Sequence, residues 1–129
     1  MNATITTIIA ELVETPTNTP NPLHEVRDAE KLAGLMDSMT ASGWVGAPVV
    51  VDGDWAITGA HRIAAAMRLW NHERIDIPIP RVEISDLCAV YGLDWAAHVE
   101  DSGDWYEAIR TIAERLPAVV VEYLGLDAH

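Results

Sequence analysis

The residue types best suited to chemistry are a glycine and the three residues after it, Gly59-Ala60-His61-Arg62, where a strand pattern changes into a helical one. The first N–H groups of a helix have no acceptor within the helix, and the helix dipole adds about half a positive charge there. Gly59 allows close approach to the backbone, Arg62 can donate two parallel hydrogen bonds to a phosphate, and His61 adds a titratable donor. This order favours binding of a small anion, with capping or packing by His61 as the structural alternative.

The elements that must position this tetrapeptide are indicated by the spacing of apolar residues and by the positions of glycine and proline. We expect a strand over 4–13, although its length also suits a short helix, and then an irregular proline-rich segment. The remaining predicted elements are a helix over 28–42 with Asp28 as N-cap and Gly43 as stop, two strands around an Asp52-Gly53 turn, a helix over 60–70, and one or two short strands over 74–84.

The overall charge narrows the classes of partner. The chain of 129 residues carries eight Lys and Arg against 20 Asp and Glu, a formal net charge of −12. Because non-specific DNA affinity comes mainly from cationic side chains, this charge argues against broad DNA binding. A small anion can still bind, since exposed charges are screened over roughly 8–10 Å at physiological salt and a local cluster of donors then dominates.

Length and composition predict a single globular domain with a core of its own. Hydrophobic residues make up 50% of the chain, and its one cysteine, Cys88, cannot form an internal disulfide. Neither a long apolar stretch nor a charged-then-apolar leader occurs, so we expect a cytoplasmic protein without membrane contact.

Residues 85–129 form an acidic tail that is predicted to be helical in pieces, at 85–92, 94–101, 104–116 and 117–125. Two Asp-Trp pairs and Tyr106 supply large aromatic side chains, which suit either packing of the tail onto the sheet or a surface for a partner. We expect packing, with Cys88 as a core residue of the first piece.

Over residues 5–84 the order and spacing of short motifs resemble the ParB/sulfiredoxin-like domain superfamily, in particular its phage and plasmid ParB N-terminal-like members. The shared pattern is an Asn-Pro segment, a helix ending in glycine, a Pro-Val-Val strand, a turn, and an alanine-rich helix that opens with Gly-x-His-Arg or Gly-x-Arg-Arg. Here these parts are Asn21-Pro22-Leu23-His24, Gly43 after the 28–42 helix, Pro48-Val49-Val50-Val51, Asp52-Gly53, Gly59-Ala60-His61-Arg62 and Ala64-Ala65-Ala66.

This resemblance implies an α/β (α+β) fold with a small mixed β-sheet flanked by helices and a C-terminal helical extension. The nucleotide-binding core would span 1–84, with a proline-rich loop at 20–27, and the acidic extension 85–129. A nucleotide (ATP, ADP or CTP) would bind at the helix N-terminus. Its phosphates would lie against Gly59, Ala60, His61 and Arg62, beside Thr58.

Well-known groups within this superfamily differ from the chain at positions that determine their chemistry. Sulfiredoxins have a cysteine after the motif glycine, where this chain has Ala60, so the resemblance does not extend to peroxiredoxin repair. Partition ParB proteins have Glu-Arg-Arg there, together with further DNA-binding and dimerisation domains. Free-serine kinases resemble the chain at His61-Arg62 but have an acidic residue in place of Thr58.

Phosphoryl transfer requires a base for the acceptor, and two carboxylates lie where the resemblance places the nucleotide. Glu25 and Glu30 are these candidates, although a solvated position at the start of a helix is the favoured interpretation of both. The sequence lacks metal-ligand spacing of His or Cys, so a metal would enter as Mg²⁺ with the nucleotide.

Cationic side chains near the same segment complete the predicted site. Arg27 and Lys31 are one helical turn apart, and with Arg62 they form the expected cationic lining. His24 matches a position that is often histidine in phage and plasmid ParB-like domains. Lys31 is equally suited to a solvated surface role.

Three functions remain open from the sequence. The first is a nucleotide-binding domain that hydrolyses the nucleotide or transfers a phosphate, and the second is a non-catalytic acidic protein of phage or plasmid origin that occupies a basic site on a protein partner. A ParB-like nuclease is the weakest, given the acidic surface and the absence of a carboxylate cluster. A homodimer is compatible with each.

Overall fold

The computed structural model describes residues 11–15, 20–22, 28–44 and 46–126, with residues 21–22 described through their backbone alone. Within these ranges short strands are interspersed with helices, so the predicted mixed α+β class is confirmed. The elements are β1 (Asn21–Pro22), α1 (Ala29–Ser42), β2 (Val49–Asp52), β3 (Trp55–Ala56), α2 (Ala60–Glu73), β4 (Arg81–Glu83), α3 (Ile84–Val90), α4 (Trp95–Ser102), α5 (Trp105–Ala113) and α6 (Ala118–Leu124). None of these helices is long and apolar enough to cross a membrane.

The four strands form one mixed sheet in the order β1-β3-β2-β4. Strand β3 pairs antiparallel with β2 and parallel with β1, and β2 pairs parallel with β4. The carboxyl ends of β1 and β3 therefore meet the amino ends of β2 and β4 at one edge of the sheet. Helix α2 begins at this edge, because the chain leaves β3 through Gly59.

The hairpin between β2 and β3 confirms the predicted turn but shifts it by one residue. Asp52 is the last residue of β2 and pairs with Trp55, which leaves Gly53 and Asp54 as the two-residue loop. Gly53 has a φ of +60°, the conformation that short hairpin loops require and that glycine adopts without strain.

The apolar core lies on both faces of the sheet, because successive residues of β2 point to opposite sides. Val49 and Val51 pack with buried residues of α1 and α2, among them Leu32 and Ile63. Val50 packs on the other side with the buried residues of the tail, which include Leu87, Ile109, Ile112, Val120 and Leu124. The acidic tail thus supplies one of the two apolar layers of the protein.

Side-chain caps begin three of the helices. Asp28 accepts a hydrogen bond from Lys31 N at 3.0 Å and α1 ends at Gly43, so both predicted ends of that helix are confirmed. Asp94 and Asp104 cap α4 and α5 in the same way. An aspartate N-cap satisfies one of the first N–H groups and interacts favourably with the helix dipole.

The chain between α2 and α3 differs from its prediction. Helix α2 continues past the predicted end at Trp70 to Glu73, where Arg74 adopts a φ of +56°. Of the one or two strands predicted over 74–84, three residues form β4, and α3 begins one residue before the predicted cap, Ser85. Pro78 and Pro80 precede β4 and have no backbone N–H to donate. Strand pairing is therefore confined to the last residues of the segment 74–84.

The segment before α1 also differs from its prediction. Residues 4–10 of the predicted strand 4–13 lie outside the described residues, and residues 11–12 are helical. Glu14 forms an isolated antiparallel bridge with Arg81, with backbone hydrogen bonds of 2.9 and 2.8 Å. The segment predicted to be irregular contains β1, whose pairing with β3 a local pattern does not specify.

One hydrogen bond ties the tail to the hairpin, and its removal tests how the tail is held. Trp95 is buried and its indole Nε1 donates to Asp52 Oδ2 at 3.0 Å. We expect Trp95→Phe to lower the free energy of unfolding in urea by about 1–2 kcal/mol, the range for a hydrogen bond to a partly solvated carboxylate. Trp70→Phe, at an exposed position, is the control and changes stability by less than about 0.5 kcal/mol. Equal losses in the two variants would contradict this role.

Candidate anion site at the start of helix α2

Gly59 lies between the end of β3 and the start of helix α2, and it is the N-cap residue of that helix. Its φ of 77° and ψ of 22° are left-handed, and no side chain caps the helix. A Cβ at this position would lie 3.0 Å from Val49 Cγ2 and 3.3 Å from Arg62 Nη2. The first backbone bond of the helix runs from Ile63 N to Gly59 O at 2.9 Å. Conformation and space therefore both require glycine, as the sequence predicted.

The guanidinium of Arg62 lies next to Gly59. Its Nη1 donates to Ala47 O at 2.5 Å, and its Cζ is 5.0 Å from the centroid of the Trp44 ring. A Cβ on Gly46 would come within 2.9 Å of Nη1. Burial lowers the pKa of Arg62, because desolvation disfavours the charged form. Arg62 therefore connects the start of α2 to the segment before β2.

Trp44 was missed by the analysis of the sequence as part of this site. Its indole Nε1 donates to the same carbonyl, Ala47 O, at 3.1 Å. The sequence feature that could have indicated Trp44 is its position directly after Gly43, where α1 ends, and two residues before another glycine, Gly46. That spacing alone does not reveal which cation the ring will contact.

Thr58 lies inside the protein, 3% exposed, where its Oγ1 accepts a hydrogen bond from Val50 N at 2.9 Å. Thr58, which was predicted to contact the nucleotide, therefore has a structural role as well. Its side-chain oxygen accepts the hydrogen bond of Val50 N in place of a backbone carbonyl of a neighbouring strand.

The other predicted site residues are placed as follows. Ala60 and His61 form the first turn of α2 and are partly buried. Glu30 and Lys31 are exposed in the first turn of α1. The predicted residues His24, Glu25 and Arg27 lie outside the described residues. The contacts given above bring Gly59 and Arg62 together with Trp44 and the Gly46-Ala47 peptide, and they include neither Glu30 nor Lys31.

A second polar cluster lies under the hairpin loop. Glu83 accepts hydrogen bonds from Gly53 N at 3.1 and 3.2 Å and from Ser85 Oγ at 3.3 Å. Burial raises the pKa of Glu83, and the nearby charges of Asp52 and Asp86 add to this effect. The cluster fastens the hairpin to β4, and within the described ranges no group of His, Cys, Asp and Glu could hold a metal ion.

Comparisons with known proteins identify no relative: no family model, no curated protein and no solved structure matches this chain. Fold and site therefore define the protein only as a mixed α+β chain with a glycine-capped helix and a partly buried arginine beside the cap. The resemblance to ParB/sulfiredoxin-like domains stays a prediction from the sequence.

The contacts of Arg62 predict a stability effect in the protein without any ligand. We expect Arg62→Ala to lower the free energy of unfolding in urea by about 1–3 kcal/mol, because it removes a hydrogen bond to Ala47 and the stacking on Trp44. Arg68 is exposed on the same helix and provides the matched control, with a change below about 0.5 kcal/mol for Arg68→Ala. If both variants unfold alike, the guanidinium does not hold the segment before β2.

Cys88 is buried in α3, which confirms its predicted place in the core. Burial raises the pKa of its thiol to about 11, with a smaller contribution from Asp94. Because the thiolate is the reactive form, we expect a disulfide reagent at pH 8 to modify Cys88 slowly in the native protein and rapidly in guanidinium chloride. Rapid native modification would show that the thiol is accessible and ionised.

Proposed function

We propose that the protein binds the phosphate groups of a nucleotide at the start of helix α2. The observation that carries this proposal is the guanidinium of Arg62 held beside Gly59, whose left-handed conformation opens the helix without a side-chain cap. A helix N-terminus with a bare glycine and an adjacent arginine offers backbone donors, a favourable dipole and a charge-assisted donor to one anion.

The topology of the sheet supports a role in nucleotide binding for the predicted site residues that precede α1 in the sequence. Pro22 pairs with Ala56, and because β1 and β3 are parallel, both strands end at the edge where α2 begins. The chain segment with His24, Glu25 and Arg27 follows Pro22 directly, and α1 begins after Asp28. Arg27 and Lys31 are the proposed further cationic contacts of this site.

Charge supports a local anion site in a chain that repels anions elsewhere. The net charge is −12, so a polyanion meets repulsion over most of the surface. The guanidinium of Arg62 is partly buried, so a phosphate that accepts a charge-assisted hydrogen bond from it meets a less screened charge than a surface cation offers. One charge-assisted hydrogen bond of this kind contributes about 1.5–3 kcal/mol.

If the site is catalytic, the reaction we propose is hydrolysis of the nucleotide or transfer of its phosphate. Glu25 or Glu30 would accept the proton of the attacking hydroxyl, and Mg²⁺ bound with the nucleotide would neutralise the phosphates. Ala60 offers no nucleophile, and Cys88 is buried among the core residues of the tail, so thiol chemistry has no support at this site.

Titration calorimetry with ATP, ADP and CTP, with and without Mg²⁺, tests the proposal. The wild-type protein should bind at least one of these nucleotides at submillimolar concentration. His61→Glu should abolish binding, because it places a carboxylate against the phosphates, while an acidic residue in the first turn interacts favourably with the helix dipole. This substitution separates binding from folding, which Arg62→Ala cannot do.

Asn71→Glu makes the same change of charge on the exposed surface of α2, near its other end, and should leave the affinity unchanged within about two-fold, since exposed charges that far apart are screened. Absence of heat with all three nucleotides at millimolar concentration would sink the proposal. Equal loss of affinity in both variants would reduce it to a general charge effect.

A further inference from the structure

Three aromatic side chains, one from strand β3 and two from helix α5, form an exposed cleft. The aromatic cleft is a cavity of about 560 Å³ at the junction of the hairpin and the α4–α5 turn, and it is lined by Trp55, Val99, Gly103, Asp104, Trp105 and Tyr106. Half of its lining residues are therefore aromatic, and none is basic.

The rings in this cleft are placed for contact with a ligand. Trp55 is 45% exposed and Tyr106 is 40% exposed, although both belong to residue types that a core readily accepts. The centroids of Trp55 and Trp105 are 6.2 Å apart with their planes inclined by 39°, so the two rings are not stacked face to face. Contiguous exposed aromatic area of this kind marks interaction sites on soluble proteins.

The charges around the cleft are acidic. Asp104 lies in its lining and caps α5 through Tyr106 N at 3.0 Å. Arg110, farther along α5, pairs with Glu107 at 2.6 and 2.7 Å and is not among the lining residues. The negative faces of aromatic rings attract ammonium and guanidinium groups, and an adjacent carboxylate strengthens that attraction.

The same charges disfavour the other common ligands of exposed tryptophan. Nucleobases would also stack on these rings, but they arrive with phosphates that Asp104 and the net charge of −12 repel. An anionic membrane surface is repelled for the same reason. A cationic side chain satisfies both the aromatic faces and the carboxylate.

We propose that the aromatic cleft is a docking site for a basic segment of a partner protein, with an Arg or Lys side chain placed against Trp55 and Trp105 and its charge near Asp104. This site lies outside the proposed nucleotide site and uses none of its residues. The excess of acidic residues over the whole chain accelerates association with such a segment.

The test uses an acetylated, amidated tetra-arginine peptide as the probe and the indole N–H signals of the five tryptophans as the readout in ¹H–¹⁵N NMR spectra. The peptide should shift the signals of Trp55 and Trp105 and leave that of Trp70 unmoved. Tetra-citrulline, which has the same shape without the charge, should shift none of them. The His61→Glu variant should bind the peptide as the wild type does.

Two pairs of variants separate the cleft from general charge attraction. Trp55→Ala and Asp104→Asn should each weaken peptide binding roughly two- to five-fold, the effect of one exposed cation–π or charge contact. Trp70→Ala and Asp94→Asn are the matched controls, an exposed tryptophan and another helix cap, and should have no effect. Asparagine retains the capping bond in both caps, so folding is preserved.

Three outcomes would overturn the proposal. The first is no movement of the Trp55 and Trp105 signals with millimolar tetra-arginine, and the second is equal weakening by the control variants. The third is movement of the same signals by tetra-citrulline or by a neutral oligosaccharide such as cellohexaose, which would assign the cleft to a neutral ligand.

Discussion

The burial of strand β2 on both faces is the constraint on which the rest of the structure depends. Val49, Val50 and Val51 are at most 2% exposed, so the strand requires one apolar layer on each side. Helices α1 and α2 supply one layer, and the acidic tail supplies the other. A two-stranded hairpin has marginal stability without such cover, which explains why a chain of this size devotes its last third to a helical layer.

This constraint also places the candidate anion site. Gly59 lies against Val49, and the side chain of Thr58 accepts a hydrogen bond from Val50 N. The path of the chain from β3 into α2 is therefore determined by contacts with β2. Arg62 then reaches back over Gly59 to the peptide before the strand. The side chain best suited to a phosphate is thus also a structural contact. A ligand there would meet a donor that is already oriented, which lowers the entropy cost of binding.

The two candidate surfaces have opposite chemical character. One combines a partly buried guanidinium with a helix N-terminus in a chain that is otherwise strongly acidic. The other combines exposed aromatic rings with a carboxylate and matches the net charge of the chain. Since long-range fields control encounter whereas short-range donors control local affinity, a small anion and a basic protein segment can both be ligands of one protein.

Whereas the mixed α+β class was predicted from the resemblance in motif order, local patterns in the sequence were enough to predict the ends of α1, the hairpin within one residue, the glycine at the start of α2 and the burial of Cys88. Each depends on neighbours within a few residues, through periodicity, capping or turn conformation. The tertiary structure alone decided the pairing of Glu14 with Arg81, the stacking of Arg62 on Trp44 and the cleft between Trp55 and Trp105. These contacts join residues whose proximity comes from the packing of two layers on one strand, and local spacing carries no record of that packing.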